Sequence, residues 1–372
     1  MRVVVAMSGG VDSSVVAGLM VEAGHEVIGV AMKTHGLEPR GNRACCTPDD
    51  MRDARTVADI LNIPFYVLNY ADLFQEVVVR PFAEAYREGR TPNPCVECND
   101  KVKFRPLLAR AQLLGADCLA TGHYARVSEN ETTGERALLR GCDPKKDQSY
   151  FLYRLNQEQL KQVMFPLGGM VKADVRAHAR RLGLPVAEKS ESQEICFVGS
   201  EGYAKTVEKI LDGQAGKPGF LENEEGHTVG THSGVHHFTL GQRRGLGVSS
   251  GNPEPQYVTH IDASSGLVRI GTRKQMECDF VEIEDVFWAS GQAMSDPDSE
   301  SEKMFVDVQQ RYHDTPRKAR IEVRPNNCVK LHFETRGPRG APGQAAVFYQ
   351  GDSVFGGGRI TNTYGLRSEA AS

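Results

Sequence analysis

The first part of the chain alternates between short β-branched runs and longer stretches with apolar residues at helical spacing. Arg2–Ala6 is such a run, closed by glycines. Helical spacing follows over 13–23, Gly24 ends the helix, and 27–32 resumes a strand. The same alternation predicts helices over 49–61, 73–88 and 101–114, and strands over 65–68 and 118–121. This β-α repetition predicts an open parallel sheet with helices on both faces. Ligands on such sheets sit at the carboxyl ends of strands, where Ser8 and Thr121-Gly122-His123 fall.

The pattern changes near residue 200. Segment 213–251 combines glycines with short polar strands and predicts a small β-containing module. A polar acidic stretch at 295–302 reads as an exposed loop or a locally disordered segment. Beyond it, alternating runs at 305–309, 319–323, 329–333, 345–349 and 358–361 predict a compact β-barrel, with Trp288 as a core anchor. The expected domains are therefore 1–205, 206–275 and 276–372, consistent with a length of 372 residues.

Composition narrows the class. The N-terminus lacks a basic region followed by an apolar core, and no apolar run is long enough to cross a bilayer, so the expectation is a cytoplasmic protein with no membrane partner. Nine cysteines in a chain of this kind do not read as a disulfide framework. Cys118, in an apolar run, reads as buried filler. A net charge of -4 argues against wholesale nonspecific binding of nucleic acid. The distribution is uneven, however: 282–302 holds seven acidic and no basic residues, and 303–339 holds nine Lys/Arg against four Asp/Glu. That segment reads either as a polyanion-facing surface or as a solvated barrel face.

Chemistry enters at Ser8-Gly9-Gly10-Val11-Asp12-Ser13, between the first strand and first helix. Two glycines allow a tight turn with backbone N–H groups close to a ligand, and Ser13 can cap a helix whose N-terminus attracts anions. Asp12 would repel a bare phosphate, so Mg²⁺ between them is the natural expectation. The loop is neither the Walker pattern nor the dinucleotide glycine pattern. It resembles the SGGxDS loop of the ATP pyrophosphatase superfamily, which binds the pyrophosphate of ATP during adenylation. By itself it does not choose among amidotransferases, argininosuccinate synthetase and tRNA-modifying members.

Cys95 and Cys98 stand in TPNPCVECN, behind a rigid Pro-x-Pro segment. The pair reads as half a zinc site, as a redox couple, or as a nucleophile at the N-terminus of a helix beginning near Asn99. Cys196, in ESQEICF, is distant in sequence but able to meet Cys98 in space, as sulfur transfer would need.

Taken together, AMSGGVDS, TPNPCVECN, ATGHYAR, KKDQSYFL, ESQEICF, FTLGQRRGLGV and QRYHDTP resemble, in order, the bacterial tRNA-specific 2-thiouridylases over nearly the whole chain. The resemblance implies an adenine nucleotide α-hydrolase-like parallel-sheet domain, a small β-containing central domain and a C-terminal β-barrel. It also implies ATP-dependent 2-thiolation of the wobble uridine of tRNA. Cys98 would be the catalytic thiol and Cys196 the persulfide carrier, passing through a Cys98–Cys196 disulfide. A cysteine desulfurase or sulfur-relay protein would supply the sulfur. ATP would contact Ala6, Met7, Ser8, Gly9, Gly10, Val11, Asp12, Ser13, Met32 and Gly122, with Mg²⁺ at Asp12. Asn93, Pro94 and Cys95 would face the target base. His123, Lys146, Asp147, Gln148, Arg311, Tyr312 and Gln344 would contact tRNA. Some members carry aspartate where this chain has Cys95, so an acid-base role does not transfer to it. His232, His236 and His237 lack an acidic or cysteine partner at ligand spacing and read as structural.

Overall fold

The computed structural model describes residues 1–34, 47–190, 195–248, 254–291 and 304–364. The Cys45-Cys46 pair, residues 191–194 of ESQEICF and the acidic stretch at 295–302 lie outside these. No helix among the described residues is long and apolar enough to cross a membrane.

β1 (Arg2–Ala6), β2 (Glu26–Lys33), β3 (Phe65–Asn69), β4 (Cys118–Ala120) and β7 (Val163–Met164) form a parallel sheet in the order β3-β2-β1-β4-β7. Alternation along β1 explains its two-sided burial. Val4 joins a cluster with Ile28, Val30, Met32 and Leu119, whereas Val3 and Val5 join the other face under α1 (Val11–Glu22) and α2 (Pro48–Ile60). Cys118 is indeed filler, buried with its Sγ 3.3 Å from Met164 Sδ.

Two longer helical runs depart from plain α geometry. The run α3 spans 71–87, with a π-helical segment Gln75–Val79, and α4 spans 94–113, with a π-helical segment Cys98–Phe104. Each π segment ends at an Arg-Pro pair, Arg80-Pro81 and Arg105-Pro106. Proline offers no N–H and crowds the carbonyl four residues back, and the wider π turn accommodates both defects.

Shorter helices follow: α5 (Ser149–Leu152), α6 (Gln157–Gln162), α7 (Lys172–Arg181) and α8 (Tyr203–Ile210). The central module is a four-stranded sheet of β8 (Gly219–Glu222), β9 (Thr228–His232), β10 (Tyr257–Asp262) and β11 (Leu267–Gly271), with its own core of Leu221, Val235, Phe238, Val258 and Ile270.

The C-terminal strands are β12 (Glu277–Trp288), β13 (Phe305–Gln309), β14 (Arg317–Arg324), β15 (Cys328–Pro338), β16 (Ala345–Gln350) and β17 (Ser353–Tyr364). They run β12-β15-β14-β13-β16-β17, and β12 pairs with β17 to close the barrel. Trp288 is buried in its core with Phe348 and Ile360.

A hairpin from the first domain, β5 (Ala125–Glu129) and β6 (Arg136–Arg140), joins the same sheet through Leu139 opposite Ser353. One hydrophobic cluster also runs from Val96, Phe104, Tyr150 and Tyr153 into Ala345, Val347, Tyr349 and Val354. First domain and barrel therefore share a core.

Candidate active site

The glycine loop leaves β1 at the point where strand order reverses, between β1 and β4, the usual ligand crevice of an open parallel sheet. Gly9 has φ +75°, and a Cβ there would lie 2.0 Å from the Asp50 carbonyl oxygen, so only glycine fits. Gly10, not Ser13, is the N-cap of α1, and no side chain caps that end. Ser13 closes the loop instead: its Oγ accepts from Ser8 N–H at 3.1 Å and donates to the Gly10 carbonyl at 3.2 Å. An uncapped helix N-terminus beside a glycine turn is suited to an anion. Met7 and Val11 are buried, so only their backbone is available to a ligand. Met32, near the end of β2, and Gly122, just past β4, flank the loop from the strands on either side of β1. A Cβ on Gly122 would come within 2.9 Å of Ser13 N, which holds that turn against α1.

Asp12 is already compensated. Lys172 Nζ lies 2.7 and 2.9 Å from its carboxylate oxygens, and the Tyr124 hydroxyl donates to Oδ1 at 2.8 Å. A second lysine, Lys189, donates to the Gly9 carbonyl at 3.0 Å and to Asp50 and Asp53 at 2.6 and 2.5 Å. The sequence reading missed both lysines. They lie 160 and 180 residues from the loop positions they touch, and no local pattern marks them.

The thiols are arranged differently from the expectation. α4 begins at Pro94, with Asn93 as N-cap accepting from Val96 N–H, so Cys98 is not at a helix N-terminus. It stands more than a turn in, as the first residue of the π segment, and Cys95 occupies the first turn instead. The helix-dipole argument for a Cys98 thiolate is correspondingly weaker. Cys98 and Cys196 are both part-buried and pack against one cluster that includes Phe74, Phe82, Val102 and Phe197. No disulfide joins Cys98 to Cys196 in this structure, so the bond that the resemblance implied as a step of the reaction is not present here. Next to Cys98, the buried Asn99 Oδ1 has no hydrogen-bond partner among the described residues.

The remaining residues implied as tRNA contacts gather largely at the seam between first domain and barrel. A cavity of about 250 Å³ there is lined by Arg140, Asp147, Gln309, Tyr312 and His313, among others. Tyr312 packs on Phe151 at 4.5 Å between ring centres, whereas Arg311 is exposed.

Asp147 faces inward. Its oxygens accept from the Gly141 and Ser149 N–H groups, the Ser149 hydroxyl and Arg140. Gln148 Oε1 accepts from Tyr124 N–H at 3.0 Å. Gln344 Nε2 donates to the Thr91 and Pro92 carbonyls at 3.1 and 3.2 Å, tying the barrel to the segment ahead of Asn93. His123 packs between Phe104 and Phe165, and burial, aided by Lys103, lowers its pKa to about 3.

The basic segment is not a bare patch. Arg317 stacks on Phe333 and donates to the Pro338 carbonyl, while Lys318 and Arg324 pair with Glu334 and Glu322.

Family profiles match in three consecutive pieces: a tRNA methyl transferase HUP domain over 1–200, a tRNA methyl transferase PRC-barrel domain over 204–272, and an aminomethyltransferase β-barrel domain over 279–360. Curated relatives match over nearly the whole chain. The tRNA-specific 2-thiouridylase MnmA of Geobacter metallireducens is 46% identical over 365 residues, covering 96% of each chain. The protein of the same name from Geotalea uraniireducens is 44% identical, covering 99% of this chain and 96% of its own. That from Azorhizobium caulinodans is 46% identical, covering 96% and 92%.

Proposed function

The chain belongs to the tRNA-specific 2-thiouridylase family, and from that premise we propose that it is a tRNA-uridine 2-sulfurtransferase acting on the wobble uridine with ATP. The observation that carries the reading is the packing of Cys98 and Cys196 against one cluster, in a chain whose glycine loop sits at the sheet's ligand crevice. ATP chemistry is needed because a carbonyl oxygen of uracil is a poor leaving group. The loop Ser8–Ser13 and the N-terminus of α1 fit the pyrophosphate, with Met32 and Gly122 beside the adenosine. Mg²⁺ would be held by the Asp12 carboxylate, now paired with Lys172, and would offset the negative charge of the departing pyrophosphate.

In the first step the uridine 2-oxygen attacks the α-phosphorus and pyrophosphate departs. In the second, the terminal sulfur of a Cys196 persulfide attacks C2 and AMP leaves with the former 2-oxygen. The Cys98 thiolate then attacks the Cys196 sulfur, forming the Cys98–Cys196 disulfide and releasing 2-thiouridine. An external thiol reduces the disulfide, and an upstream sulfur donor recharges Cys196. We assign the extruded base to Asn93-Pro94-Cys95, the helix start one turn ahead of Cys98. Lys146, Gln148, Arg311 and Tyr312 supply the tRNA face, with Asp147 and Gln344 holding it in shape.

The test is mass spectrometry of tRNA after incubation with ATP, Mg²⁺, a thiol reductant, and a cysteine desulfurase with cysteine, which delivers the persulfide sulfur. The expected result is a sulfur-for-oxygen mass increase at the wobble uridine, not the mass of a methyl group. Cys98→Ala and Cys196→Ala should each abolish the product, and a variant that keeps substantial activity removes that cysteine from the mechanism.

A further inference from the structure

A separate group of metal-ligating side chains lies where α8 meets the 3-10 turn Val235–His237 of the central module. The sequence argued against a metal here because the histidines have no acidic neighbour. The fold supplies one. Glu208 Oε1 lies 3.2 Å from His236 Nε2 and 3.4 Å from His237 Nε2, and one donor atom from each of the three residues lies within 4.8 Å of the others.

We propose that Glu208, His236 and His237 form a three-ligand site for a divalent transition-metal ion of the zinc class, clipping α8 to the central module. The spacing is the first argument. Tetrahedral zinc, with bonds of about 2.0–2.1 Å, places neighbouring ligand atoms roughly 3.3 Å apart. The two edges, 3.2 and 3.4 Å, bracket that value; His237 Nε2 also lies 2.9 Å from the Ser233 hydroxyl, a contact the ion would displace.

The second argument is preorganisation. His236 is 3% exposed, and its ring lies in a slot where a Cβ on Gly234 would come within 2.5 Å of it. The third concerns Glu208. The exposed Lys205 takes Oε2 at 2.9 Å, so Oε1 is the oxygen turned to both imidazoles. Two imidazoles and one carboxylate suit zinc, cobalt or nickel, whereas magnesium prefers an all-oxygen shell. Water completes the fourth position at the part-exposed side of His237.

The site bears on the sulfur-carrying segment by position. α8 follows Cys196 closely in the chain, and the Tyr203 hydroxyl donates to the His237 carbonyl at 3.0 Å. An ion here fixes the helix onto which that segment leads.

The test uses full-length protein stripped with chelator, with Cys95, Cys98 and Cys196 replaced by serine so that their thiolates do not compete. It is titrated with Co²⁺ and followed by visible absorption. The expected result is one bound equivalent with d–d bands and no thiolate charge-transfer band. His237→Ala and Glu208→Gln, both at part-exposed positions that should leave folding intact, should each weaken binding by about tenfold or more. Amide exchange across 203–210 should slow when the ion is added. Failure of the parent to bind Co²⁺, or binding unchanged by both substitutions, overturns the proposal.

Discussion

At Asp12 a carboxylate sits in a loop whose backbone is arranged for anions, and Lys172 and Tyr124 resolve the conflict locally. The carboxylate thereby keeps a lysine at the loop whose backbone suits an anion. Asp12→Ala should reduce ATP-dependent pyrophosphate release on the order of 10²-fold, the scale of losing one preorganised electrostatic group. Release at the wild-type rate would remove Asp12 from the reaction. His123 makes a second residue-scale argument. Its pKa falls from 6.5 to about 3 because burial, then Lys103, disfavours the imidazolium. The unfolded chain therefore takes up a proton that the folded chain refuses, so stability is fully present above pH 6.5 and declines as pH falls toward 3. His123→Phe, which keeps a ring between Phe104 and Phe165, should flatten Tm between those limits. An unchanged acid slope would assign it to other groups.

Elements decide how the cysteines are presented. The sequence placed helices close to where they form, yet the helix carrying Cys98 starts at Pro94, earlier than apolar spacing indicated. Proline at the first helical position and Asn93 as cap were the readable signal. The π segment was less readable, because an Arg-Pro pair inside a helix predicts a disturbance without saying which kind. The segment before Asn93 is held from outside its own element. Gly343 has φ +94°, and a Cβ there would lie 2.9 Å from the Thr91 carbonyl, while Thr91 N–H donates to the Pro342 carbonyl at 2.7 Å. Gly343→Ala should therefore displace the 91–95 segment at a cost of about 1–3 kcal/mol. Thiolation should fall while pyrophosphatase-loop binding of ATP, measured by titration, stays near wild type. Equal loss of both would mean the substitution acts on the whole domain.

On the scale of the molecule, the barrel is more than an appended RNA module. Val96, Tyr150 and Tyr153 of the first domain are buried against Ala345, Val347 and Tyr349, and Arg140, Tyr150 and Gln344 cross the seam with hydrogen bonds. A fragment ending at residue 275 would expose that face, and burying a side chain of this size contributes roughly 1.5–3 kcal/mol. In calorimetry the full chain should melt its first domain and barrel in one transition, and the 1–275 fragment should lose that transition or aggregate. A fragment melting at the full-length temperature would show that the shared core does not couple them. The central module, with its separate core, is the part expected to melt independently.

Period and punctuation along the chain were enough to give the parallel sheet, the barrel and the loop at the first strand's end, because those depend on local spacing and on glycine's backbone freedom. Motifs gave the family. Tertiary structure alone brought Lys172 to Asp12, Lys189 to Gly9, Gln344 to Thr91, Cys196 to the cluster that holds Cys98, and Glu208 to two histidines. Each of these joins residues far apart in sequence, and such pairings are set by how strands and helices pack, which no local pattern encodes. The SGGVDS loop announces itself in six residues, but the charges that make it workable come from the other end of the first domain.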